Sequence, residues 1–269
     1  MAFLTRSPLP PLAGLVRQVW DWEAAPQPDR LERVLPVAHA NLIINLSEDE
    51  SRLYDEERRC QRYRGATLEG ARSLSSIIDT REQVAVMGVI FHPGGAAAFL
   101  RERMDRLTNR CVNLEDLVGT QAASLLREQL LEAGDADFRL RRLLDWLQRH
   151  QRSLPGTNAV THALDTLQRE PQIAALGRCA RESGLSPRTL REQFRRQVGL
   201  SPKRYLRLQR FHRLLARAAS AGERDWADLA AACGYADQAH LSHEFREFSG
   251  FTPGELARRG VWSGHLALD

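Results

Sequence analysis

Arg188, Arg191, Glu192 and Arg195 fall three or four residues apart, so on a helix they share one stripe, with Thr189 and Arg196 flanking it. Arginine forks match guanine edges and phosphates, and glutamate accepts a hydrogen bond from cytosine. Such a stripe can read the floor of a major groove. About fifty residues on, Ala239, Ser242, His243 and Arg246 make a second stripe in the same register, with Gln238 and His240 as flanking candidates. Arg210, from the segment between, completes the candidate set. For either stripe alone, a solvated charged face on a helical hairpin is the plainer reading; two matched copies favour DNA.

Other residues invite chemistry and supply less of it. Cys60 lies among arginines, in RRCQRY, which favour a thiolate. It has no adjacent histidine, and the other cysteines (Cys111, Cys179 and Cys233) form no C-x-x-C pair, so neither a zinc site nor a disulfide framework is expected. His243-Glu244 begins like a zinc-protease motif, but Glu247 stands where the second histidine belongs. His92-Pro93-Gly94-Gly95 could form an anion nest, although a glycine pair more simply turns the chain. No catalytic residue, metal or cofactor is expected.

The elements that position the two stripes repeat. Ala180 and Gly184 match Ala230 and Gly234 at an offset of fifty; Leu190, Phe194, Gly199 and Pro202 match Leu241, Phe245, Gly250 and Pro253 at fifty-one. A repeat of this period is one supersecondary unit used twice. Each copy reads as helix–turn–helix: a small alanine for close crossing, a glycine turn, and an N-cap at Ser186 or Asp237. Leu190 with Phe194, and Leu241 with Phe245, mark the buried face. A stiff helix over 202–219 joins the copies, with Tyr205, Leu208, His212 and Leu215 as its inner stripe.

With its A-x-x-x-G-Y at Ala230–Tyr235 and its closing G-F-T-P, this arrangement resembles the DNA-binding domain of AraC/XylS-type transcription regulators over roughly Thr157–Arg259. The resemblance implies two recognition helices reading successive major-groove segments of double-stranded promoter DNA, with RNA polymerase as a further partner. Tyr235, Leu241 and Ala239 depart from the commoner residues of that family. More weakly, ERVLP, NLIINL and F-H-P-G-G resemble the β-rich regulatory domain of some members, which implies control through a small-molecule effector or a protein partner. A DNA-repair methyl-acceptor fused to such helices is the enzymatic alternative, and Cys60 lacks its proline-cysteine-histidine setting.

The chain has 269 residues and a net charge of +4. From Thr157 onward there are 17 Lys+Arg against 12 Asp+Glu, so the basicity belongs to the repeat-bearing half. No apolar run approaches a membrane span of about 18 residues, and the N-terminus lacks a signal-peptide pattern, so a cytoplasmic protein is expected. The fold class expected is α+β. Residues 1–152 form a mainly-β barrel or sandwich with trailing helices, used for regulation or oligomerisation. Residues 153–158 form a linker, and 159–262 an all-α double helix-turn-helix domain. Strands are expected at 15–23, with Val16, Gln18, Trp20 and Trp22 on one face, and at 33–39, 41–46, 61–72 and 83–92. SEDES reads as an acidic loop, and Ala96–Met104 as a helix start. Leucine stripes over 113–150 serve either the core or a homodimer.

Overall fold

The computed structural model describes residues 2–25, 31–153, 156–220, 226–259 and 265–268. The N-terminal half holds β1 (Ala2–Arg6), β2 (Val16–Glu23), β3 (Leu31–Val34), β4 (Asn41–Asn45) and β5 (Glu50–Tyr54). These are followed by β6 (Cys60–Arg64), β7 (Ala66–Glu69), β8 (Ser76–Asp79), β9 (Ala85–Phe91) and β10 (Cys111–Asn113). Helices α1 (Leu114–Val118), α2 (Thr120–Leu131) and α3 (Ala136–His150) come next. The C-terminal half is α4 (Thr157–Arg169), α5 (Ala175–Glu182), α6 (Pro187–Val198), α7 (Pro202–Ser220), α8 (Trp226–Cys233), α9 (Gln238–Ser249) and α10 (Pro253–Arg259), then a last strand, β11 (His265–Ala267).

Two antiparallel sheets face each other without closing into a barrel. One runs β1-β2-β9-β4-β7-β10, the other β11-β3-β8-β5-β6. Alternation assigns the faces of the larger sheet. Leu42 and Ile44 of β4, with Met87, Val89 and Phe91 of β9, join the apolar core under α1–α3. Asn41, Ile43, Val86 and Ile90, one residue out of phase, line a cavity between the sheets. On β2, Gln18, Trp20 and Trp22 face that cavity as their spacing predicts. Val16 does not, because a register irregularity between Val16 and Gln18 turns it into the helix-side core. At Gly88 the sheet makes room for an indole: a Cβ there would lie 2.8 Å from the Trp20 ring.

Several expected elements are shorter or displaced. The 33–39 strand ends at Val34, two residues before Pro36. SEDES is not all loop. Asn45 Oδ1 accepts from the Ser47 and Glu48 amides, a tight turn that launches β5 at Glu50. The helix expected from Ala96 is a four-residue 3-10 turn, Gly95–Ala98, buried throughout. Most leucines of α2 and α3 serve the core: Leu126, Leu130, Leu140, Leu143 and Leu147 are buried against the larger sheet, while Leu125 and Leu131 are exposed.

The helical half packs around α7. Phe194 meets Tyr205 edge-on at 5.7 Å, and Phe211 meets Phe245 at 5.2 Å. Phe211, not His212, completes the inner stripe of α7; the His212 imidazole leans outward and reaches the Pro36 carbonyl at 2.8 Å. The two halves share apolar packing. Leu35, Ala38 and Ala71 belong to the same buried cluster as Phe194, Phe211 and Leu256. Helix α4 begins at Thr157, inside the segment expected to be linker, whose residues 154–155 lie outside the described residues. After α10 the chain returns to the β-half: β11 pairs antiparallel with β3, and Leu266 is buried. No helix among the described residues is long and apolar enough to cross a membrane.

Candidate nucleic-acid interface

Each helix-turn-helix unit is built by capping and a left-handed turn. Gly184 and Gly234 take positive φ between the paired helices. Ser186 Oγ accepts from the Thr189 amide at 3.1 Å, and Asp237 Oδ1 from the His240 amide at 2.7 Å, so both second helices start where the sequence puts them. Gly199 and Gly250 end α6 and α9 with φ of 91° and 77°.

The stripe on α6 divides in two. Arg188, Thr189, Arg191 and Arg196 are exposed, and the three arginines have no ion pair among the described residues. Thr189 shares its hydroxyl with Ser186 at 2.8 Å. Further along, Glu192 accepts from Arg103 at 2.7 Å, and Arg195 lies 3.5 Å from Asp105. Both partners belong to the N-terminal half, in the segment between β9 and β10. Arg103 and Asp105 are themselves bound at 2.8 Å, and this pairing with the arginine holds the Asp105 carboxyl below the usual range. Thr108 Oγ1 donates to the Gly199 carbonyl at 2.5 Å, fixing the end of α6 against the same segment.

On α9, Gln238, Ala239, His243 and Arg246 are exposed and Ser242 is half-buried, forming one stripe. His240 faces back to the Tyr235 ring, edge-on at 5.4 Å. Glu244 points away from the stripe and is 1% exposed. Arg207 Nε donates to it at 2.7 Å, and Arg210 Nη2 at 3.0 and 2.7 Å. Burial alone would raise this carboxyl, but the hydrogen bonds from Arg210 and Arg207 outweigh it and lower its pKa. Arg207 also holds Glu247, and Arg210 reaches the Gly234 carbonyl and covers the Tyr235 ring at 4.6 Å. Arg210 is thus committed to clamping α9 onto α7. The signal lay in the sequence: two arginines three apart on α7 face two glutamates three apart on α9.

The remaining candidates are modest. The Gly94-Gly95 pair turns the chain beneath the helical half; a Cβ on Gly94 would sit 3.6 Å from Val198. His162, Cys179 and Glu182 bring donor atoms within 4.8 Å of one another, but His162 and Glu182 are hydrogen-bonded to each other at 2.7 Å. The four cysteines are free thiols on separate elements, and burial pushes the Cys111 thiol up to about 12.

Two capped helix-turn-helix units clamped to one connecting helix, each presenting an exposed polar stripe, define a double-headed DNA-binding domain. Residues 179–259 match the family model of a helix-turn-helix domain, and this C-terminal domain is of the AraC type. Residues 4–113 match a second model, a domain of unknown function (DUF6597). Among characterised proteins, the chain is 31% identical over 146 residues to the HTH-type transcriptional activator RhaS of Klebsiella pneumoniae, covering 52% of this chain and 44% of that protein. It is 29% identical over 157 residues to RhaS of Citrobacter koseri, covering 56% and 48%. The chain spans a little under half the length of these relatives. Among solved structures, ToxT from Vibrio cholerae matches with a TM-score of 0.45 and 10% identity, over 95% of this chain and 98% of that one.

Proposed function

We propose that the chain is a sequence-specific transcription regulator. In this reading α6 and α9 enter successive major-groove segments of promoter DNA, and the N-terminal half controls α6. The observation that carries it is the division of the α6 stripe: Arg188, Arg191 and Arg196 have no ion pair among the described residues, while Glu192 and Arg195 are held by Arg103 and Asp105. Releasing that hold would present the whole stripe. The input is a small molecule rather than a protein partner, because the sheets enclose a cavity of about 650 Å³, within the usual range for ligand sites. RNA polymerase contact and pairing of two copies through α2 and α3 belong to the same reading, with exposed Leu125 and Leu131 available for the latter.

Selection of bound duplexes from a random pool by the full chain tests it. The expected product is two boxes about 10 base pairs apart, centre to centre. Arg103→Ala should tighten binding by a few-fold, since half-exposed ion pairs contribute about 0.2–1 kcal/mol each. A pool that converges on no motif would sink the reading. An Arg103→Ala variant that binds no tighter than the parent would remove the control.

A further inference from the structure

The cavity between the sheets has an unusual lining for a β-sandwich core. Its apolar wall is carried by Trp20 and Trp22 of β2, with Ile43, Ile78 and Ile90. Toward the β7–β10 end of the larger sheet, inward positions that normally carry apolar residues hold Asn41, Thr67 and Glu69, with Cys111 beside them. Strand register sets this end: Asn41 pairs with Glu69 across β4–β7, and Glu69 with Cys111 across β7–β10. Glu32 and His265 close it from the smaller sheet, 3.4 Å apart.

The hydrogen-bonding capacity of this end is one-sided. Asn41 Oδ1 is buried with no hydrogen-bond partner. The Glu69 carboxyl has neither an ion pair nor a side-chain hydrogen bond among the described residues. Burial raises its pKa, against the pull of Arg72 and His265 farther off. An unmet buried acceptor such as Asn41 Oδ1 costs stability until a donor arrives. A carboxylate ligand would bring a third anion beside Glu69 and Glu32. Among the described residues the cavity's one arginine, Arg52, is already bound to Glu48 and Glu50.

We propose that this cavity binds an organic ammonium ion with an aromatic or apolar body, its N–H groups directed to Glu69 and Asn41 and its ring against Trp20 and Trp22. The proposal rests on the effector reading of the N-terminal half and names the ligand's chemistry. The indole walls suit both parts of such a ligand, since a ring packs on them and a cation is drawn to their faces. The ligand would also reach His265, on the strand that follows the last helix of the DNA-binding domain.

Calorimetric titration of the full chain with three probes sharing one body tests this: 2-naphthylmethylamine, 2-naphthylmethanol and 2-naphthoate. The amine should bind about tenfold or more tighter than the alcohol, a difference of about 1.4 kcal/mol, and the naphthoate should show no heat of binding. Glu69→Gln should bring the amine to the level of the alcohol and leave the alcohol unchanged. Asn41→Leu provides a second variant with the same expected selectivity loss, should Glu69→Gln fail to fold. Alcohol or naphthoate binding as tightly as the amine would overturn the ammonium proposal and leave the effector reading standing. No binding of any probe at millimolar concentration would overturn both.

Discussion

Removing the Glu244 carboxylate should be among the most damaging single changes to the DNA-binding half, although it lies off the exposed stripe of α9. The side chain is 1% exposed and accepts hydrogen bonds from both Arg207 and Arg210. In Glu244→Ala those guanidiniums, 26% and 22% exposed, lose their common anion. Stripping one partner from a buried pair costs about 3–5 kcal/mol. Arg207 retains Glu247 and Arg210 retains the Gly234 carbonyl, which places this case near the lower end, about 3 kcal/mol. For a chain of this length that corresponds to about 6–12 °C in Tm. Calorimetry and urea unfolding of the full chain measure it. Replacing Glu244 with leucine together with Arg207→Met and Arg210→Met should recover most of the loss, because well-packed apolar side chains do as well as a buried pair. The loss should also shrink in acid. The native pKa is depressed, so the stabilisation is complete above about 4.3, the ordinary glutamate value, and is lost as pH falls through the lower native one. A loss below about 1 kcal/mol, as expected of a half-exposed pair, would refute the clamp.

Two further outcomes follow from the charge distribution. Burial, with Arg17, His212 and His92 nearby, depresses the His39 pKa to about 4, so the native state keeps this ring neutral while the unfolded chain titrates near 6.5. Stability should therefore be intact above about 6.5 and fall toward pH 4 by about 3 kcal/mol at most; His39→Leu should flatten urea-midpoint profiles between pH 7.5 and 5, and an unchanged slope would reject the assignment. On DNA, Arg191→Ala should cost about 1–3 kcal/mol and relax one box of the site, with Arg246→Ala costing less; quantitative binding at two salt concentrations reverses the ranking if α9 is the anchor.

The helical half was legible because its rules are local. Caps at Ser186 and Asp237, glycine turns, and leucine–phenylalanine pairs four apart are written within each unit, and each stands where its spacing puts it. What spacing does not reveal is which arginines are free. Between 173 and 217 the sequence carries twelve Lys+Arg against two Asp+Glu, while 224–259 carries four against six. Read separately, the first unit looks strongly basic and the second mildly acidic. Arg207 and Arg210 in fact neutralise Glu244 and Glu247 across the repeat boundary, so much of that contrast cancels inside the fold. The exposed cations Arg188, Arg191 and Arg196, with no ion pair among the described residues, still favour α6 as anchor, now on exposure rather than on count. The β-half was read in part. Strands with apolar runs or indole alternation announce themselves, whereas β5 and β6 are polar, pair with each other as a hairpin across residues 55–59, and carry no apolar run to mark them.

The repeat also explains how the N-terminal half can hold two units at once. Gly199 and Gly250 are equivalent positions, the left-handed caps that end α6 and α9, and the N-terminal half packs against both. A Cβ on Gly199 would lie 3.1 Å from the Met104 carbonyl, and one on Gly250 3.0 Å from the Arg33 guanidinium. Arg33 also covers the Phe251 ring and is fixed by Glu56 and Ser75, so it is a positioned contact and not a loose side chain. Between these grips, His212 of α7 meets the Pro36 carbonyl, and β11 continues the smaller sheet. The ends of α6 and α9, the connector between them and β11 thus share one support. Arg33 and His265 ride on paired strands, β3 and β11, and Glu32 beside them lines the cavity. A ligand that shifts β3 against β11 would therefore change the support under α9 directly, and would reach α6 through the shared apolar cluster around Leu35 and Ala71 and the segment that holds Glu192 and Arg195.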